Sequence, residues 1–439
     1  MRFTPNPKPV VEEMLKSIGL NKIDDLFVDI PNDVKLNRDL NIPDEMSELE
    51  LTNHLKKLAS KNLTTDQHVC FMGAGAYDHY IPPAVDQMLL RSEFYTAYTP
   101  YQPEISQGVL QAIFEYQTMI CNLTGMDVSN ASMYDGGSAL AEACMVASDS
   151  TRRKKILVPD SIHPEYLKTI QTYAISGKME VVVVPSKDGI TDSEAIISMT
   201  DKSVACVVIQ QPNFLGNIED ITNIEKAIHE NKGLLVMAVD PFSLGVLKSP
   251  REWGADIVVG EGQPFGNSLS FGGPHLGFFA ADKKFMRKIP GRIAGQTQDP
   301  EGNRGFVLTL QAREQHIRRE KAGSNICSNQ ALNALAANIY LSLIGKEGLK
   351  QLALRSHQLA IYAKEQFEKV GIKLKYNQPF LREFAISVNS PTELNKKLLA
   401  SGIIGGYELD GGMLLAFTEK RTKEEIDKLV SLIGGENHG

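Results

Sequence analysis

Six short apolar runs recur between residues 156 and 280: Ile156–Val158, Val181–Val184, Val204–Ile209, Leu234–Val239, Ile257–Val259 and Gly277–Ala280. Each is apolar at successive positions, as a strand must be when both faces of its sheet are covered. Stretches with helical spacing lie between them, Thr222–Asn231 being the clearest. Asn130–Tyr134 reads as a further strand, leading into a helix over Ala139–Ala147. Short buried strands alternating with helices predict an α/β domain built on a mostly parallel sheet with helices on both faces. In such sheets ligands sit beyond the carboxyl ends of the strands. Asp135, His163, Asn213 and Asp240 all fall at or just past such ends.

Two glycine-rich connections carry most of the chemistry. Asp135-Gly136-Gly137-Ser138 precedes a helix, where free N–H groups and the helix dipole favour an anion such as a phosphate. Within Gly254–Ala281, the apolar run Ile257–Val259 enters a loop rich in Gly, Pro and Asn, and the chain returns into Leu276–Ala281. No lysine lies in this loop; the nearest are Lys248 before it and Lys283 after it. A third glycine pair, in Cys70–Tyr77, lacks the third glycine of a dinucleotide loop and is read as tight backbone packing.

The flanks differ in character. Residues 1–65 read as a helical arm, with helices over Pro9–Ile18 and from Ser47 to about Asn62. Ser47 and Glu50 form a capping box, and Leu49, Leu51, Leu55 and Leu58 supply the apolar stripe. Residues 66–325 form the large α/β domain. Residues 326–439, with helices from Ala331, Gly348 and Thr422 and strands at Phe384–Val388 and Leu414–Phe417, form a small α+β domain. The segment 94–108 sets Tyr95, Tyr98 and Tyr101 beside two prolines, Gln102 and Glu104, a composition suited to the wall of a pocket or interface. A helix, Val109–Thr124, follows and stops at Gly125. Further on, Arg313, Arg318, Arg319 and Lys321 precede the small polar run Ser324–Gln330, which could donate hydrogen bonds to an anion.

The net charge of −7 argues against a nucleic-acid partner. No apolar run approaches the roughly 20 residues that span a bilayer, and the N-terminus lacks a signal-peptide core. A cytoplasmic protein is expected. Cys70, Cys121, Cys144, Cys206 and Cys327 show neither C-x-x-C nor zinc spacing, so buried free thiols and no metal site are expected.

A pyridoxal 5'-phosphate (PLP) site needs an anion cradle, a ring to stack on the pyridine, a carboxylate for its nitrogen and a Schiff-base lysine. The chain offers Asp135–Ser138, His163 and Asp240 for the first three, in order, and nothing for the fourth.

Tyr98-Thr99-Pro100-Tyr101-Gln102-Pro103-Glu104, the segment Arg304–Arg319, Ser324–Gln330 and the Gly-Ala-Asp256 motif carry a close resemblance over nearly the whole chain. The sequence resembles the P-protein family of the glycine cleavage system, and within it the N-terminal-half (alpha) subunits of two-subunit glycine decarboxylases. The resemblance implies the PLP-dependent type I (aminotransferase-like) fold. It implies decarboxylation of glycine and transfer of the aminomethyl group to the lipoyl group of a carrier, the H-protein. It also implies an alpha2-beta2 assembly in which the beta subunit carries the lysine and PLP. Here Gln263-Pro264 stands at the lysine's place, and proline can hold no cofactor covalently. The chain alone is then expected to be inactive, with Asp135, Gly136, Gly137, Ser138, His163 and Asp240 as a relic cofactor pocket. Tyr98, Thr99, Tyr101, Gln102, Glu104, Ser324, Asn325 and Ser328 are the residues expected to wall the partner's active site. Two other readings stay open: a self-sufficient PLP lyase using a lysine from outside the loop, and a purely structural or regulatory subunit.

Overall fold

The structure, a computed structural model, describes residues 6–435. The chain forms two compact units, one ending at Leu63 and the other starting at Thr64. The first contains helices α1 (Lys8–Ser17) and α2 (Glu48–Ala59). Ser47 caps α2 as its sequence requires, its hydroxyl accepting from Glu50 N–H while Glu50 accepts from Ser47 N–H at 2.9 Å. The stripe Leu49, Leu51, Leu55 and Leu58 is exposed.

The second unit is built on a seven-stranded sheet. Its strands are β1 (Val128–Ser129), β2 (Lys155–Pro159), β3 (Glu180–Val184), β4 (Val204–Gln211), β5 (Leu234–Val239), β6 (Ile257–Glu261) and β7 (Gly277–Ala281). They lie in the order β1-β7-β6-β5-β4-β2-β3. The run from β6 to β3 is parallel, and β7 is antiparallel to both of its neighbours. Alternation along these strands divides the core between two faces. Ile156, Val158, Cys206, Val208, Val236, Val259 and Phe279 pack with Ala139, Leu140, Ala143 and Cys144 of helix α4 (Gly136–Thr151). Leu157, Val207, Ile209, Met237, Val258 and Phe278 point the other way. They meet Tyr116 and Ile120 of helix α3 (Gln107–Thr124) and Ala336, Ala337 and Tyr340 of a long C-terminal helix. Burial on both faces is why the central strands carry apolar runs, while β3, at the sheet edge, leaves Glu180 and Val183 exposed.

Two local expectations are corrected. The helix expected over Ala139–Ala147 starts at Gly136, because Asp135 accepts from Ser138 N–H at 2.7 Å and caps it, and it runs on to Thr151. The strand expected at Asn130–Tyr134 lies at Val128–Ser129 instead. Ser132 takes φ +149° and breaks the extended run, leaving only a bridge from Met133 to Gly277. The two helices expected from Ala331 and Gly348 are both present: the run Ala331–Lys369 is broken into two at Gly345, whose φ +61° and ψ −176° are not helical. Its first half packs on the sheet. Its second half, through Leu359, Ala360, Ala363 and Phe367, packs on a third core with the antiparallel strands Glu383–Ser387 and Gly412–Ala416. Of the five thiols, all free, Cys70, Cys144 and Cys206 are buried; Cys327 is exposed because it lies in the polar loop after Ser324. Among the described residues no helix is long and apolar enough to cross a membrane, and no His/Cys/Asp/Glu group could hold a metal.

Candidate functional site

The strand ends converge on a cleft lined by His163, Tyr166, Asp240, Glu261, Pro264 and Arg382. The parallel sheet brings His163 (after β2) and Asp240 (after β5) together here, and β6 delivers Pro264 beside them. The remaining space is about 50 Å³, room for a few waters.

Most polar groups of the cleft already have a partner from the chain, Arg382 Nε being a buried exception. At the start of α4, Gly136 N–H donates to Glu261 Oε2 at 3.0 Å and Ser138 N–H donates to Asp135. Glu261 Oε1 also accepts from the N–H groups of Gln263 and Leu276, both at 2.9 Å. His275 Nδ1 stands 3.4 Å from Glu261 Oε2, and this contact raises the imidazole's pKa. A buried carboxylate therefore occupies the anion cradle that the helix N-terminus creates. Tyr166 packs over the same turn, and a Cβ at Gly136 would collide with its hydroxyl.

His163 is equally committed. Its ring stacks on Tyr166 with centroids 4.7 Å apart and meets the edge of Phe214 at 4.9 Å. Nε2–H donates to Ala74 O at 3.0 Å, and Nδ1 accepts from Glu165 N–H at 3.1 Å. Burial lowers its pKa, consistent with this neutral tautomer. Asp240 forms an ion pair with Arg382 at 2.8 Å. Arg382 is buried, lies 3.7 Å from the ring centroid of Tyr77 and donates to His79 Nε2. His79 passes the chain on, its Nδ1–H donating to Glu419 at 2.6 Å. Glu383, beside Arg382, accepts from Ala74 N–H at 2.6 Å and from Tyr77 Oη at 2.7 Å, and burial lifts its pKa to about 7.

These residues do not fit PLP. The anion cradle is filled by Glu261 and Asp135, the carboxylate for a pyridinium by Arg382, and one face of His163 by Tyr166. Pro264, which has no amine to offer, borders the cleft.

The second set of sequence-selected residues lies elsewhere. Tyr98, Thr99 and Ser328 line one largely apolar cavity of about 200 Å³ with Tyr116, Arg292 and Leu332. Arg292 fixes its rim: its guanidinium lies 5.3 Å from the Tyr101 ring centroid, and Nη2 donates to Tyr101 Oη at 2.9 Å. Tyr98 is 88% exposed and Ile105 80%, and Gln102 and Glu104 stand in solvent on the turn between them. Ser324 is not on this cavity. It donates to Glu142 Oε1 at 2.8 Å and borders a basic cavity beyond; Asn325 is exposed. Glu142 is buried in α4, and burial lifts its pKa to about 7.

Sequence reasoning missed Glu261, Arg382, Glu383, Arg292 and Glu142. Glu261 had a usable signal, since a carboxylate ending an apolar strand is the same feature that singled out Asp240. Arg382-Glu383 stand just before an apolar strand, where a buried charge pair gives no periodic signature. Their partners Ala74, Tyr77 and His79 are more than 300 residues away in sequence, and Asp240 is 142 away.

The fold and the cleft define the class: a PLP-dependent type I fold. A sphingosine-1-phosphate lyase of Burkholderia pseudomallei shares it with a TM-score of 0.69 at 15% identity, over 93% of this chain and 94% of that one. The chain belongs to the glycine cleavage system P-protein family, whose model matches residues 1–433. It is 63% identical over 436 residues to the probable glycine dehydrogenase (decarboxylating) subunit 1 of Syntrophomonas wolfei, covering 99% of this chain and 100% of that one. A crystal structure of glycine decarboxylase (P-protein) in inhibitor-bound form superposes with a TM-score of 0.93 at 41% identity, over 99% of this chain and 100% of that chain.

Proposed function

We propose that this chain is the lysine-less subunit of a two-subunit glycine decarboxylase and that it completes, rather than contains, the working active site. One observation carries the reading. In a chain so similar to proteins named subunit 1, the pocket that would hold PLP is closed by the chain's own Glu261, Arg382 and Tyr166, with Pro264 at the lysine position. PLP, held covalently by a lysine-bearing beta subunit in an alpha2-beta2 assembly, supplies the electron sink for the pair left on the α-carbon of glycine as carbon dioxide departs. The aminomethyl group then passes to one sulfur of the H-protein's lipoyl disulfide, and the other sulfur leaves as a thiol.

This chain's part is shape and polarity. Tyr98, Thr99 and Ser328 line a largely apolar cavity and are assigned to the wall that excludes water from the partner's site. Arg292 holds the Tyr101 hydroxyl in place, where it can bind and orient substrate. Gln102 and Glu104 on the tyrosine segment, and Ser324 and Asn325 on a separate polar loop, are assigned to the subunit contact.

The test is reconstitution. The purified chain is treated with PLP and borohydride and weighed by mass spectrometry, and glycine decarboxylation is assayed with and without the lysine-bearing partner. No fixed cofactor, with activity only on mixing, supports the reading. A cofactor fixed on one lysine of this chain, with activity alone, overturns it in favour of the self-sufficient lyase.

A further inference from the structure

A cavity of about 450 Å³ opens between the end of α4 and the segments 287–291 and 313–326. Five cations border it (Arg287, Lys288, Arg313, Arg318 and Lys321) against two carboxylates, Asp149 and Glu314, in a chain whose net charge is −7. Asp149 is committed to Lys288 at 3.1 Å. Glu314 Oε2 lies 3.9 Å from His316 Nδ1, and its Oε1 is buried without a hydrogen-bond donor. The side chains of Arg287, Arg318 and Lys321 make no hydrogen bond or ion pair with any described residue. Arg313 donates through Nη1 to Ile289 O at 2.5 Å, but its Nε and Nη2 are shielded from solvent and lack an acceptor. A desolvated guanidinium edge without an acceptor is costly, and a fork of two N–H groups matches a carboxylate or phosphate oxygen pair.

We propose that this cavity is an oxyanion-binding site, with Arg313 as its floor, Arg287, Arg318 and Lys321 closing over the bound group, and Ser324 at its edge. The ligand chemistry is a phosphate or carboxylate group carrying at least one full negative charge. The site is separate from the closed strand-end cleft and shares no lining residue with it. It does not depend on which subunit holds PLP, so its failure and that of the reconstitution test are distinguishable.

The test is calorimetric titration of inorganic phosphate into the purified chain at low ionic strength, with chloride at matched ionic strength as the control. Single-site, saturable binding is expected, with Kd raised at least tenfold in the Arg318→Gln, Lys321→Gln double variant. Both side chains are exposed, so this variant leaves the fold intact; Arg313→Gln, tested for folding by circular dichroism, should abolish binding. No saturable heat from phosphate, or a Kd unchanged in the double variant, overturns the proposal. Repeating the titration on the assembled two-subunit enzyme identifies the source. Binding that persists marks an anion taken from solution, and binding lost on assembly marks a carboxylate or phosphate supplied by the partner.

Discussion

In the strand-end cleft, Asp240 faces Arg382, Glu383 faces Tyr77 and Ala74, and Glu261 faces four donors on three segments. On the surface formed by residues 94–105 and 287–330, Tyr98 and Ile105 stand in solvent, and the side chains of Arg287, Arg318 and Lys321 form no ion pair with a described residue. Both regions carry groups suited to ligands, but in the cleft hydrogen-bonding capacity is largely spent inside the chain, and on the surface it is not. A ligand entering the cleft would have to displace buried carboxylates and a buried guanidinium, each of which is expensive to leave unpaired. A partner approaching the surface would meet groups whose best interactions are still to be made.

The largest effect expected from this contrast is on stability. Arg382→Met should destabilise the chain by about 3–5 kcal/mol, because it leaves Asp240 without its cation inside the cleft. Denaturant unfolding of the purified chain measures this. Turnover per assembled enzyme, assayed below the variant's melting point with partner and carrier in excess, should be unchanged. Lost turnover at full stability would mean that the cleft is a working site and that the comparison is drawn backwards.

The second effect is a pH dependence from the same cleft. Burial raises the Glu383 pKa from 4.5 to about 7. The folded chain therefore binds more protons than the unfolded chain between these values. Stability from this group is fully present below about pH 4.5 and is lost as pH rises to about 7. At about 1.4 kcal/mol per pKa unit this is roughly 3 kcal/mol. The difference in unfolding free energy between wild type and Glu383→Gln should shrink over that window and level off above it. A difference that stays flat from pH 4.5 to 7 would show Glu383 ionised in the folded chain, with the cleft less closed than its geometry indicates.

The sheet was legible in the sequence, and the state of the cleft was not. Strands such as Leu234–Val239 are apolar at every position because both faces are covered, so composition alone locates them. Asp135, His163 and Asp240 were found because a polar residue at the end of an apolar strand is a local signal. What closes the cleft is non-local. Arg382 reaches Asp240 across 142 positions and His79 across 303, from the residue just before the strand Glu383–Ser387. The strand at residues 130–134 was misplaced because Ser132's positive φ is imposed by the fold, while its sequence looks extended. For the tyrosine segment, composition identified an exposed aromatic loop, but not the buried Arg292 that fixes Tyr101 from beneath.

The finest test separates a shaped wall from a decorated surface. Tyr101→Phe removes one hydroxyl that accepts from Arg292 and leaves the ring in place. If Tyr101 were an ordinary surface tyrosine, the only cost would be about 1 kcal/mol of stability from one lost hydrogen bond, with kinetics unmoved. If the loop walls the partner's site, the same change should lower kcat/KM for glycine about tenfold while the subunits assemble with unchanged affinity, because a small misplacement of a positioning group costs catalysis more than folding. Steady-state kinetics on the assembled enzyme, with subunit affinity measured by analytical ultracentrifugation, distinguish the two. Unchanged kinetics would remove Tyr101 from the site, and a weakened complex with normal kcat would reassign the loop to assembly alone.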